Sequence, residues 1–392
     1  MMFHLRRLFL FAVLFASACR PAYASSLDAP TALPPAATRL PTSTPLTLDS
    51  PTAPPATATF TPTFTPSPLP PSPTPSPTPS QPRMTTLLFA GVIVPARCVQ
   101  AALDAKGNPD YPYEEVREVI SQADIAVGVL NATMSDRVER TGCITTWQLV
   151  GGPENADAMA RAGFDVMSVA TNHIKDCGVM NAWCNETFFD TLANLRRVGI
   201  LPVGAGKDLA EALQPVVITV NGVRFGFVSQ GDSKLSETVF ANANNPGIAL
   251  LNEENMRAAI AAARQVADVV IALPHWGSED ILLPNYWQQT QAQYTVAAGA
   301  DLVVGNHTHV IQAIDVVDGV QVFYGLGNFV FDQGLRDHRQ GVILLVKFEG
   351  TRYRGYELIP THVDPDGRVH IASPEEAAEI LQRVEEASDQ LP

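Results

Sequence analysis

Positive charge is scarce in this chain and nowhere concentrated. Its 392 residues carry 26 Lys and Arg against 40 Asp and Glu, a formal net charge of −14. Without a Lys/Arg-rich block the electrostatic footprint that nucleic acid requires is missing, so nucleic acid is not expected as a partner. Cysteine is sparse too, five in all, and no Cys-x-x-Cys pair occurs, which speaks against a zinc site of that kind. The apolar run Leu8–Ala18 is too short to span a bilayer as a mature helix. No internal repeat is visible, so a repeat array is not expected.

What the front of the chain does contain is a leader and a spacer. Arg6 and Arg7 precede the apolar run, and residues 1–24 read as an export signal. Ala22-Tyr23-Ala24 is an ordinary small-residue cleavage pattern. Ala16-Ser17-Ala18-Cys19 resembles a lipobox, in which a lipidated Cys19 becomes the mature N-terminus. Either way the protein leaves the cytoplasm, for the cell surface or a membrane-anchored place outside it. Residues 25–82 are Pro, Thr, Ser and Ala with almost no charge, and hold more than half of the 32 prolines. Such a segment cannot bury a core; the composition predicts an extended, disordered linker. The folded domain is expected over residues 83–392. Four cysteines remain there, Cys98, Cys143, Cys177 and Cys184. Two disulfides are expected in an exported chain; nearness in sequence pairs Cys177 with Cys184 and leaves Cys98 with Cys143.

Within that domain, buried strands alternate with helices. Strands are read at Thr86–Val94, Asp124–Leu130, Phe164–Ala170 and Asp268–Leu273, and a short one follows Gly299. Helices are read at Tyr113–Gln122, Glu154–Ala162, Glu186–Val198, Glu253–Val266, Tyr286–Ala298 and Pro374–Ser388, the last capped by Ser373. Asn221-Gly222 and Asp318-Gly319 mark two tight hairpins. A last strand pair is read at Gly341–Phe348 and Tyr353–Pro360. The pattern is α/β, two mixed sheets packed together with helices outside.

Three strand ends carry histidine: Asn172-His173, His275, and His307 with His309. If the backbone stays extended through His307-Thr308-His309, both rings project to one side. Amide oxygen and imidazole suit a divalent transition metal such as zinc, manganese or iron. A histidine that does not ligate the metal can protonate a leaving group near neutral pH.

The segments Gly163–Gly178, His275–Glu279, Gly305–Val310 and Tyr324–Asp332 together resemble the signatures of the bacterial capsule-synthesis CapA family, in that family's order. The resemblance implies a calcineurin-like metallophosphoesterase fold, a two-sheet sandwich with two metals at its strand ends. It also implies an association with poly-γ-glutamate capsule synthesis and export, so a capsule or envelope polymer is the expected partner. Position by position, it places Asn172, His275 and His307 on one metal and His309 on the other, with His173 as the leaving-group acid. Glu279, which matches a family carboxylate, and Asn328, which would shape the pocket wall or bind substrate unless it is a turn residue, are carried over as substrate-side residues; Asp176 itself reads as a loop or helix-capping carboxylate.

Two departures stand out. The family's first strand ends in Gly-Asp, and here the residues are Gly91-Val92; its second ends in Asn-Leu-Glu, and here they are Val129-Leu130-Asn131. Two carboxylate ligands are thus replaced by a valine, which cannot coordinate, and a neutral amide. One ion or two is left open on these grounds. So is the choice between a metal-dependent hydrolase, acting on a phosphoester or a γ-glutamyl amide, and a surface-tethered relative that binds a polymer or assembly partner without catalysis.

Overall fold

Alternation along the first strand decides how the molecule is layered. In a computed structural model, which describes residues 83–179, 183–232 and 239–391, the strand Met84–Ile93 sends Leu87 and Phe89 to one side. Leu88, Ala90 and Val92 go to the other. Residues Pro77–Pro392 form a compact unit. The leader and linker read at residues 1–82 lie outside the described residues.

Met84–Ile93 sits inside an eight-stranded sheet. Parallel neighbours Ile125–Leu130, Val166–Ser168 and Leu201–Val203 lie to one side of it; antiparallel Gln340–Glu349, Arg352–Val363 and Val369–Ile371 lie to the other. Asn328–Val330 pairs in parallel with its carboxyl end. The second sheet has six strands: Ile314–Val317, Val320–Phe323, Leu302–Val304, Val269–His275, Val223–Gly231 and Val216–Val220. Its central pairings are parallel and its two edge hairpins antiparallel.

The sheets meet through Leu87, Phe89, Ile125 and Val127 on one side and Phe225, Phe227, Ile271 and Leu273 on the other, all essentially without solvent contact. Burial on this scale is the main stabilising term of the fold. Helices Glu154–Ala162 and Asn185–Arg197 cover the outer face of the first sheet; Glu253–Val266 and Tyr286–Ala297 cover that of the second. This is the expected two-sheet mixed sandwich flanked by helices.

Most local signals hold. Glu154–Ala162 ends on Gly163 at φ 109°, a left-handed C-cap. Ser373 accepts the Glu376 amide at the start of Pro374–Ser388. Asn221 and Gly222 (φ 51° and 82°) and Asp318 and Gly319 (46° and 84°) take the paired positive φ values of a type I′ hairpin. Both expected disulfides form.

Two expectations fail. Tyr113–Gln122 is not one helix but a turn at Tyr111–Tyr113 followed by Arg117–Ser121. Tyr113 is buried edge-on against Phe164, and the chain tightens to place it there. The second failure concerns the site: the strand stops at Val304, and His307 (φ 111°) and His309 (φ 61°) lie beyond it in left-handed backbone.

Candidate active site

The carboxyl ends of both sheets point to one mouth, and glycine sets how closely they meet. His275 ends its strand and bridges Asn306, which continues the neighbouring one. Between them Trp276, fully buried, donates from Nε1 to Tyr324 O at 2.8 Å. A Cβ on Gly305 would fall on that Nε1 and lie 2.5 Å from Tyr324 O. Only glycine lets the indole lie there. Past this point the left-handed turns at His307 and His309 swing the two rings apart, at about 1–3 kcal/mol of strain each. The rings are therefore not parallel projections from one strand end.

His307 turns toward His275, its Nδ1 3.1 Å from His275 Nε2. From the other sheet Asn172 brings Oδ1 to 3.0 Å of the same Nε2. His309 goes elsewhere: Nδ1 meets Asn328 Oδ1 at 2.8 Å, and Nε2 lies 3.9 Å from Glu279 Oε1. Asn328 is buried, and its amide nitrogen donates to His338 O at 2.9 Å. Both ends of that amide are engaged within the protein, so Asn328 fixes the His309 ring.

His173 stands beside this group, its backbone N–H held by Asn131 Oδ1 at 3.1 Å. Its ring Nδ1 meets Asp176 Oδ2 at 2.7 Å, and the same oxygen accepts the Leu149 amide at 2.7 Å. Asp176 is buried, and its own carbonyl takes the hydroxyls of Thr133 and Thr187. It is thus more than a capping carboxylate: it holds the ring by Nδ1. The i to i+3 spacing of His173 and Asp176 was the available signal. No spacing pointed to His338, whose Nε2 lies 2.5 Å from Asp280 Oδ1 and whose ring centroid is 6.4 Å from that of His309.

Burial is the dominant electrostatic influence. It pushes the His275 ring well below its ordinary value, with the neighbouring histidines adding to the effect. For the same reasons His307 falls to about 3. His309 falls to about 4, burial outweighing the opposing hydrogen bond that its Nδ1 makes to Asn328 Oδ1. At neutral pH all three are uncharged, the state in which imidazole ligates a cation.

The residues fit one ion better than two. Adjacent donors around an ion with bonds of about 2.1 Å stand about 3.0–3.4 Å apart, and Asn172 Oδ1 and His307 Nδ1 each lie close to that distance, 3.0 and 3.1 Å, from His275 Nε2. Among the described residues no group of three His, Cys, Asp or Glu is placed to ligate a cation; here only two donors are histidine and the third is an amide oxygen. Among the described residues no carboxylate bridges this set to His309. Val92 is packed in the helix-side core. Asn131 uses its oxygen on His173, and its Nδ2 is buried without a partner.

Residues 86–333 match the family described as bacterial capsule synthesis protein PGA_cap. Among curated relatives, a PGA biosynthesis protein CapA of Bacillus subtilis is 29% identical over 277 residues, covering 70% of each chain. A capsule biosynthesis protein CapA of Bacillus anthracis is 30% identical over 255 residues, 64% of this chain and 60% of its own. A probable polyglutamine synthesis accessory protein of Mycobacterium tuberculosis is 29% identical over 197 residues, 47% of this chain and 50% of its own. Among solved structures, a phosphatase from Mycoplasma pneumoniae aligns with a TM-score of 0.44 at 11% identity, over 72% of this chain and 96% of its own. The NAD nucleotidase of Haemophilus influenzae aligns with a TM-score of 0.43 at 12% identity, over 78% and 56%. Scores this low carry nothing about the reaction. The family match covers well over half of the chain, with the strand-end motifs in it, and the chain belongs to the bacterial capsule synthesis PGA_cap family.

Proposed function

We propose that this protein works outside the cytoplasm in making or processing a poly-γ-glutamate capsule polymer, as a hydrolase with one divalent transition metal ion. The observation that carries the reading is that Asn172 Oδ1 and His307 Nδ1 lie 3.0 and 3.1 Å from the same His275 Nε2. These three residues would hold the ion. When bound it supplies Lewis acidity, polarising a phosphoryl or carbonyl oxygen. His173, with its Nδ1–H given to Asp176, would present Nε2 to a leaving group and donate a proton from it when the ring is in its imidazolium form. Asn131 fixes the His173 backbone, and Asn328 fixes His309. The half-exposed Glu279 beside His309 is the residue placed to meet substrate.

The names of the Bacillus and Mycobacterium relatives support the polymer class. Overall charge does not assist: at −14 the chain repels a polyglutamate strand, so attraction has to be local, at the ion or a basic side chain. Export by residues 1–24, anchoring at Cys19 and a linker over residues 25–82 belong to the same proposal.

A second reading, a polymer-binding relative without catalysis, is favoured by Val92 in the core and by the neutral Asn131. Elemental analysis of the protein purified without chelator separates the two, with His307→Ala beside it. About one equivalent of transition metal, lost in the variant, supports the enzyme reading. No metal after incubation with manganese and zinc overturns it in favour of the binder.

A further inference from the structure

One hydrogen bond settles where Glu279 stands relative to His309. The Asp280 N–H donates to Thr308 O at 3.0 Å. A peptide unit is planar, so this bond joins the plane that begins at Glu279 to the plane that ends at His309. Glu279 Oε1 and His309 Nε2 then lie 3.9 Å apart. The chain is left-handed at Asp280, φ 65°, a conformation uncommon in residues other than glycine. Such a residue stays there when its surroundings fix it.

What fixes it comes from two sides. Gln312 Nε2 donates to Ile281 O at 2.8 Å, and Gln312 Oε1 accepts Gln288 Nε2 at 2.8 Å, which ties the next residue to the helix Tyr286–Ala297. On the other side Asp280 Oδ1 lies 2.5 Å from His338 Nε2. His338 is 8% exposed, its Nδ1 is buried without a partner, and its carbonyl takes the Asn328 amide at 2.9 Å. Asp280 is thus the polar contact on which the orientation of that ring rests. The segment around His338 is clamped in turn by the terminal helix Pro374–Ser388. Arg383 Nη1 donates to Asp337 Oδ1 at 2.6 Å and its Nη2 to Gln340 Oε1, while Gln340 Nε2 donates to Glu376 Oε1 at 2.7 Å. One helix therefore holds both flanks of His338, and it faces the loop Asp280, Ile281, Leu282 and Leu283 across a groove of about 370 Å³.

We propose, on the reading above that Glu279 meets substrate, that Asp280 and His338 form a latch which positions Glu279, with the terminal helix keeping His338 in place. Surface pairs are weak because two mobile side chains have to be ordered. Here the backbone of each partner is already held, Asp280 by Thr308 O and His338 by Asn328. The Glu279 side chain is half-exposed, so its place at the mouth depends on the backbone beneath it. With the latch open the peptide loses its link to Thr308 O and the carboxylate leaves His309. A bound polymer then loses that contact while Asn172, His275 and His307 are undisturbed. Asp280 and His338 are positioning residues, and the terminal helix, distant in sequence from the strand-end motifs, becomes part of the substrate site.

The test compares the full chain with His338→Phe, which keeps a ring and removes the Nε2 contact, and with His338→Gln, which keeps a donor. Hydrogen exchange is followed by mass spectrometry on peptides covering Ser278, Glu279, Asp280 and Ile281. The slow amide of that segment is expected to exchange about tenfold faster in His338→Phe and at the parent rate in His338→Gln, with the strand Val269–His275 unchanged in all three. Binding of poly-γ-glutamate is measured beside it, with Glu279→Gln included. His338→Phe should weaken binding about tenfold, and combining it with Glu279→Gln should add no further loss, because both remove the same contact. Unchanged exchange in His338→Phe overturns the latch. Faster exchange throughout the strand shows a support of the fold instead and overturns it as well. Additive losses in the double variant overturn the positioning of Glu279. A parent that binds no polymer counts against the proposed function, and the exchange comparison still decides the latch.

Discussion

Replacing Gly305 by alanine tests whether the strand ends are held at their spacing by the packing of Trp276. The added methyl would fall on Trp276 Nε1 and stand 2.5 Å from Tyr324 O, neither of which is the free end of a flexible side chain. The indole has to move, and its 2.8 Å bond to Tyr324 O breaks with it. Overpacking of a buried site costs about 1–3 kcal/mol, and a buried donor left unpaired about 1–3 kcal/mol more. Gly305→Ala is therefore expected to lose roughly 2–6 kcal/mol, several degrees in melting temperature. The damage should also reach the site, because Trp276 N bonds to Asn306 O between His275 and His307. Urea unfolding measures the first effect, and metal content of the folded variant the second. Gly334→Ala is the control, since nothing lies within 4 Å of its Cβ position. If both variants unfold within about 0.5 kcal/mol of the parent, the range of a neutral surface change, the account of the strand ends is wrong.

Asp176→Asn keeps the volume of a buried carboxylate that serves both His173 Nδ1 and Leu149 N. The loss should be about 1.5–3 kcal/mol, with the His173 ring no longer held as one tautomer by nitrogen-15 NMR; an unchanged tautomer would show that Asp176 does not orient the ring. His370 supplies a pH dependence. Burial works to lower its pKa, but hydrogen bonds and charge from Asp364 and Glu115 outweigh that and raise it above the ordinary 6.5. The folded state then holds the proton more tightly than the unfolded one. Its stabilisation is complete below the unfolded value and is lost as pH rises through the folded value. The difference in melting temperature between parent and His370→Gln should be largest in mild acid and close in alkali, and a gap that does not change with pH would refute the assignment.

Much of this fold is local chemistry, which is why the sequence reveals it. Glu154–Ala162, Glu253–Val266 and Pro374–Ser388 have the bounds that periodicity and caps predict. Asn221-Gly222 and Asp318-Gly319 turn as their φ preferences require. Tyr111–Ser121 breaks because Tyr113 is claimed by a ring distant in sequence, Phe164. Strand-end histidines were legible in the same way, as polar residues closing apolar runs. Their pairings were not. The left-handed turns at His307 and His309 have no side-chain signature; they exist because Gly305, Trp276 and Tyr324 fix where the chain can go next. His338 enters the site only through the path of a loop, and a lone histidine between aspartate and arginine announces nothing.

The two departures from the family pattern also separate once the geometry is known. Val92 faces the helix-side core, where an ionised side chain would have no partner, so that position has become packing. Asn131 has stayed at the site. Its orientation is not free, because the His173 amide needs an acceptor and only Oδ1 can provide one. Nδ2 is thereby left as a buried donor without a partner, and a bridging cation would be repelled by the N–H groups that a carboxylate would have replaced with oxygen. The amide at this position thus still holds the His173 backbone, as a carboxylate oxygen would. What remains is the cluster of Asn172 and His307 about His275 Nε2 and one histidine oriented by Asp176, the groups on which the proposed single-ion reading depends.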